Sequence, residues 1–150
     1  MAGWGGHKVF PNGSRIYIAQ RNFSEGISLR DVHCHNNWRQ GLSIISVVNM
    51  SVEGSSFTGT NGTAPQFGID LEPNRVQDAL VNVLIRNCSF VGNVGGGIQF
   101  GLHKLSDFGI TPLRDTTIII DSCSIDGTGI VTKKNGHRIS QGSSFPSKIV

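Results

Sequence analysis

Val83-Leu84-Ile85-Arg86-Asn87-Cys88-Ser89-Phe90 alternates apolar and other residues, then breaks step at Arg86-Asn87 before resuming. The same form recurs as Ile27-Ser28-Leu29-Arg30-Asp31-Val32-His33-Cys34, as Met50-Ser51-Val52-Glu53-Gly54-Ser55-Ser56-Phe57 and as Ile118-Ile119-Ile120-Asp121-Ser122-Cys123-Ser124-Ile125. Alternation with period two means a strand with one buried face. Positions 27, 29, 32 and 34 can all face one core only if the chain bends between 29 and 32, so each block predicts two short strands joined by a corner.

A polar, Gly- or Asn-rich turn follows each block, and then a second alternating strand opening at Gly41-Leu42, Gly68-Ile69, Gly97-Ile98 or Gly129-Ile130. Ile16-Tyr17-Ile18 reads as an earlier copy without the glycine. The apolar positions 16, 42, 69, 98 and 130 are spaced by 26, 27, 29 and 32 residues. Repeats of this size, each with several strands too short to bury a face alone, predict a chain coiled and stacked on itself. Equivalent strands then pair in parallel about 4.8 Å apart, and about five coils make a column roughly 20 to 25 Å tall.

The carrying residues are these blocks, the turns Asn36-Asn37 and Gly92-Asn93, and the strands Arg39-Gln40-Gly41-Leu42-Ser43-Ile44 and Gly68-Ile69-Asp70-Leu71-Glu72-Pro73-Asn74. On them the chain resembles the right-handed parallel β-helix proteins of the pectate-lyase-like kind: pectinases, polysaccharide lyases, mannuronan epimerases and phage tailspikes. The resemblance covers about residues 14–133. It implies an all-β, right-handed parallel β-helix (solenoid) of about five coils. Residues 1–150 are expected to form a single domain, with 134–150 a degenerate coil or tail, in an excerpt of a longer helix. Under this reading Cys88 and Cys123 share an inward column with Val32 and Ser55, while Cys34 shares one with Phe57, Phe90 and Ile125.

Composition agrees with a turn-rich β protein: of 150 residues 20 are glycine, and only 15% are charged. A net charge of +3, scattered apart from Lys133-Lys134 and Arg138, lacks the concentrated basic face of a nucleic-acid binder. No apolar run is long enough to cross a membrane, and Met1 to Lys8 lacks the apolar core of a signal peptide. The resemblance implies an extracellular or virion-associated location, reached by another route or as part of a longer chain. Three cysteines spaced by 54 and 35 residues fit neither a disulfide framework nor a zinc site, and read as small buried apolar residues. Five Asn-x-Ser/Thr sites, at Asn12, Asn22, Asn49, Asn61 and Asn87, are explained by polar turns. Gly95-Gly96-Gly97 lacks the following Lys-Ser/Thr of a phosphate loop and reads as a tight corner.

Asp70 and Glu72 flank the inward Leu71, so both are expected to point outward, about 6.5 to 7 Å apart at Cα. The equivalent positions elsewhere are Ser43 and Ile45, Gln99 and Gly101, and Val131 and Lys133, so the acidic pair belongs to one coil alone. Paired carboxyl groups suit general acid/base cleavage of a glycosidic bond, with either stereochemical outcome. Gln99 should sit one coil from Asp70. Arg39, Arg75, His103 and Lys104 lie on turns bordering the same sheet: Arg or Lys can neutralise an acidic sugar, and His103 can transfer a proton. Trp38 can stack on a sugar ring or simply shield its turn. The loops Thr58–Phe67, Pro73–Val81 and His103–Asp115 are candidate groove walls.

These residues support a tailspike-like depolymerase or glycosidase acting on a polysaccharide, with Asp70, Glu72 and His103 catalytic and Arg39, Trp38, Arg75, Gln99 and Lys104 binding substrate. The alternative is a non-catalytic stalk, adhesin or glycan-binding module, in which the acids are solvated residues balanced by Arg75 or Lys104. A lyase or epimerase using His103 or Lys104 as base is a third reading. The Asn-Thr-Asp and paired-Asp segments of polygalacturonases are absent, and Gly136-His137-Arg138-Ile139 matches their Gly-His and Arg-Ile elements only faintly. The Asp-Pro-His motif of mannuronan epimerases is absent too, with Glu72-Pro73-Asn74 an echo of it. No acidic calcium cluster is evident, so no metal and no cofactor is expected. A homotrimer or a longer chain would cover the ends of the helix.

Overall fold

A computed structural model describes residues 23–109, 116–126 and 129–134, with strands His7–Val9, Arg15–Tyr17 and His137–Gln141; side chains are described for 23–105, 116–126 and 129–130. Strands β1 (His7–Val9) and β2 (Arg15–Tyr17) form an antiparallel ribbon. Four three-strand repeats follow. The first is β3 (Ser24–Arg30), β4 (His33–His35) and β5 (Gln40–Ile44); the second is β6 (Val47–Glu53), β7 (Ser56–Thr58) and β8 (Phe67–Leu71). The third is β9 (Leu80–Arg86), β10 (Ser89–Val91) and β11 (Gly96–Phe100); the fourth is β12 (Ile118–Asp121), β13 (Ser124–Ile125) and β14 (Ile130–Lys134). A 3-10 segment, Leu102–Gly109, leads out of β11, and β15 (His137–Gln141) closes the described chain.

The protein is all-β with mainly parallel pairing. First strands pair only with first strands, in the order β12-β9-β6-β3; second strands run β13-β10-β7-β4 and third strands β14-β11-β8-β5. All three sheets contribute to one apolar core, which includes Val52, Val83 and Ile120 from the first, Phe57 and Phe90 from the second, and Ile69, Leu71 and Ile98 from the third.

Left-handed backbone marks the predicted corner. Asp31, Gly54, Asn87 and Ser122 have φ of 53°, 60°, 52° and 52°, one in each repeat between first and second strand. Short polar residues and glycine tolerate this conformation, which is why the two-residue interruption of each block is polar or Gly. A second such column, Asn36, Gly59 and Gly92, starts the next turn. Asn93 stitches that turn across repeats: its amide donates to the Phe57 carbonyl at 2.8 Å and accepts the Thr60 N–H at 3.0 Å.

The predicted inward columns are present. Cys34 pairs in register with Phe57, Phe57 with Phe90, and Phe90 with Ile125. The Phe57 and Phe90 rings stack at 5.5 Å with 13° between planes. They explain Gly41 and Gly68, the second residues of β5 and β8, which face the Phe57 and Phe90 rings. A Cβ on Gly68 would lie 2.7 Å from Phe90 Cδ1 and 2.9 Å from the Gly97 carbonyl oxygen. Gly68→Ala should therefore destabilise the fold by about 1 to 3 kcal/mol, the usual cost of overpacking, read as a lower urea midpoint.

Two expectations are corrected at the ends. Arg15–Tyr17 is no earlier copy of the repeat: it pairs antiparallel with His7–Val9, so four repeats are described where about five were expected. His137–Gln141 is neither a degenerate coil nor an unpaired tail. It pairs antiparallel with β14, from Ile130 opposite Gln141 to Lys134 opposite His137, and its backbone occupies the hydrogen-bonding edge that the third sheet would otherwise expose.

On the outward side of the first sheet, Arg30, Glu53, Arg86 and Asp121 stand in register, one per repeat. Arg30 Nη2 lies 3.0 Å from Glu53 Oε1, and Arg86 Nε lies 3.1 Å from Asp121 Oδ2.

Candidate functional site

The third sheet carries the acidic pair. Ser43, Asp70, Gln99 and Val131 are in register across β5, β8, β11 and β14. The Gln99 amide donates to Asp70 Oδ1 at 2.9 Å, which puts the two residues together as the sequence implies. Asp70 alternates with the core residues Ile69 and Leu71, yet it is not solvated: it is 0% exposed and Gln99 is 1% exposed, whereas Ser43 in the first repeat is exposed. Asp70 thus lies on the outer side of β8 as alternation predicts, but that side is closed to solvent, so the alternative of a solvated acid does not hold for it. Every residue of β8 and β11 is buried, so their outer as well as inner faces are closed to solvent. Burial of a carboxyl group is costly without hydrogen-bond partners, and the Gln99 amide supplies one.

Glu72 follows β8 and is half-buried. Its N–H donates to the Ile44 carbonyl at 3.1 Å, and its side chain lies over Gly101, with Cγ 3.2 Å from where a Cβ would stand. A side chain at 101 would crowd it, so the glycine there makes room for the carboxylate.

The remaining candidates divide between the two ends of the third-sheet strands. Trp38 and Arg39 precede β5, while Arg75 follows β8 and His103 and Lys104 follow β11. Because the strands are parallel and five residues long, the two groups lie roughly 15 Å apart along the strand direction. The two groups stand at opposite ends of the sheet strands that carry Asp70, with Glu72 at the end of Arg75, His103 and Lys104. Arg75 is exposed; its N–H and that of Asn74 both donate to Asp78 Oδ2, at 2.9 and 2.8 Å. His103 is exposed and Lys104 half-buried on the 3-10 segment. Asp107 has no described side chain, and Arg114 and Asp115 lie outside the described residues.

Trp38 is the most exposed large apolar residue described, at 74%. Its ring rests against Gly62, and its carbonyl accepts the Thr63 N–H at 2.7 Å. Arg39 is exposed beside it, its carbonyl accepting the Gln66 N–H at 2.8 Å. The loop 59–66 thus braces the Trp38 corner from beneath and leaves the ring open. Val94, 61% exposed, lies in the corresponding turn of the third repeat.

Two features have no counterpart in the sequence reading of the site. His33 has Nδ1 2.7 Å from Ser56 Oγ on the second sheet. Cys88 and Cys123 influence each other: the neighbouring Cys123 thiol, against the opposing effect of burial, brings the Cys88 pKa down to about 7, while Cys88 together with burial pushes Cys123 up. Their shared column is legible in the repeat, but thiol chemistry is invisible to a pattern that scores Cys as a small apolar residue. Among the described residues no three His, Cys, Asp or Glu side chains gather as metal ligands, and no helix is long and apolar enough to cross a membrane.

No family model matches the chain, and no solved structure matches it. Over 97 residues, 60% of this chain, it is 39% identical to an uncharacterized protein, YclG, of Bacillus subtilis (strain 168). The match spans 16% of the length of that relative.

Proposed function

We propose that the chain is a stretch of right-handed parallel β-helix within a longer protein, and that it binds polysaccharide as a non-catalytic module or stalk. Strands visiting three parallel sheets in strict rotation around one core support the helix reading. The observation that carries the functional reading is the contrast in exposure between Asp70, at 0%, and Trp38, at 74%. The acid proposed for bond cleavage is withdrawn from solvent, while an indole is held open on a braced corner beside Arg39. A flat aromatic face suits the C–H face of a sugar ring, and a neighbouring guanidinium suits a sugar hydroxyl or carboxylate. Such a role places the protein outside the cell or on a virus particle, where polysaccharide is met, and it calls for no cofactor, nucleic acid or membrane.

Binding to a panel of acidic and neutral polysaccharides, with the products read by mass spectrometry, tests this. The expected result is binding without new reducing ends, weakened at least tenfold in Trp38→Ala, as for an aromatic hot spot worth about 1.4 kcal/mol or more. Equal binding by that variant would overturn the assignment of Trp38.

A second reading, a depolymerase or glycosidase using Asp70 and Glu72, is favoured by one observation: Asp70 is the single acid in its column and is held by Gln99. It requires polymer to reach a carboxyl group that is closed to solvent. Shortened products in the same assay would support it, and unsaturated products would support a lyase using His103 or Lys104.

A further inference from the structure

Cys88 and Cys123 occupy equivalent inward positions of the third and fourth repeats. On one side Arg86 pairs with Asp121, on the other Ser89 with Ser124, and the Asn87 N–H to Asp121 carbonyl and Ser124 N–H to Cys88 carbonyl bonds, at 3.0 and 2.9 Å, lock the register between them. Neighbouring parallel strands lie about 4.8 Å apart, inside the roughly 4.4 to 6.8 Å between Cα atoms that a disulfide spans. The two thiols also point alike: Cys88 Sγ is 3.2 Å from the Arg86 carbonyl and Cys123 Sγ is 3.4 Å from the equivalent Asp121 carbonyl. Both cysteines are reduced in the structure. Cys88 is 2% exposed, but Cys123, in the fourth repeat, is partly exposed. A small oxidant can therefore reach the pair where Cys123 is partly exposed.

We propose that Cys88 and Cys123 are a redox pair that closes into a disulfide across the third and fourth repeats when the protein meets a hydroperoxide. The Cys88 thiolate attacks the peroxide oxygen, breaking the O–O bond to give a sulfenic acid and, after protonation, one water. The Cys123 sulfur then attacks the Cys88 sulfur, and its proton leaves with the departing hydroxide as a second water. Overall two thiols lose two electrons and two protons, and one hydrogen peroxide becomes two waters. The lowered pKa of Cys88 keeps a thiolate available near neutral pH for the first step. Cys34, in another column and in the first repeat, has no such neighbour among the described cysteines.

The test treats the whole chain with hydrogen peroxide, alkylates the remaining thiols under denaturing conditions and measures intact mass and tryptic peptides. The expected result is one alkylated cysteine instead of three, a mass lower by about 2 Da before alkylation, and a peptide joining Cys88 to Cys123 that dithiothreitol separates. Cys34→Ser should behave the same, whereas Cys88→Ser and Cys123→Ser should form no intrachain cross-link. Serine is accommodated at this position, since Ser55 stands there buried in the second repeat and accepts the Val32 N–H. The oxidised protein should melt higher by roughly 5 °C. Three alkylatable thiols after peroxide, a cross-link that includes Cys34, or over-oxidation of Cys88 without a cross-link would each overturn the proposal.

Discussion

Phe90→Ala should lower the stability of the protein by about 3 to 5 kcal/mol, the usual cost of emptying a buried aromatic site. Phe90 is 0% exposed, stands between Phe57 and Ile125, and stacks on the Phe57 ring at 5.5 Å. Its loss removes both the buried area and the ring pairing, the latter worth about 0.5 to 1.5 kcal/mol on its own. The space is hard to refill. Gly68 faces the ring and Gly97 the Phe90 Cβ, with no side chain to move inward, and the backbone around them is fixed by parallel ladders on both sides. Phe90→Leu, which restores most of the volume, should recover more than half of the loss. Urea unfolding followed by circular dichroism measures both; a cost below about 1 kcal/mol for the alanine variant would mean that the corner collapses and that its glycines do not hold it open.

Asp70→Ala should cost about 2 to 4 kcal/mol, combining a cavity with a buried Gln99 amide that loses an acceptor. Asp70→Asn should cost less by at least about 1 kcal/mol, because its side-chain oxygen can still accept from Gln99 Nε2, now 2.9 Å from Asp70 Oδ1. The pair of variants separates a structural carboxyl group from a catalytic one. A structural role predicts graded stability and unchanged polysaccharide binding. A catalytic role predicts that the asparagine variant, stable as it is, loses product formation altogether, and that outcome would restore the acid/base reading of Asp70.

What the sequence reveals about this molecule is what a repeat writes into every copy. The alternation of Val83, Ile85, Cys88 and Phe90 around a bend, repeated four times, predicts the columns Cys34-Phe57-Phe90-Ile125 and Ser43-Asp70-Gln99, and the registers agree. Features that occur once are less legible. Alternation places Asp70 on the outer side of β8, but only the tertiary structure shows that this side is closed in the second and third repeats and open at Ser43 in the first. Likewise Trp38, Arg39, Arg75, His103 and Lys104 all border one sheet in sequence order, and the direction of the strands separates them into two groups. The antiparallel pairing of His137–Gln141 with β14 breaks the period, so a period search passes over it.

The row Arg30, Glu53, Arg86 and Asp121 bears on how four similar segments find their proper order. Each charge meets the opposite sign in the repeat next to it, as the 3.0 and 3.1 Å pairs record. If the chain skipped a repeat while folding, Arg30 would face Arg86 and Glu53 would face Asp121. Like charges directly opposite one another destabilise a strand pair, whereas the apolar columns, being nearly the same in every repeat, would accept the wrong neighbour. Exposed pairs of this kind contribute little to the stability of the finished protein. Their alternation in sign instead penalises the pairing of one odd repeat with another.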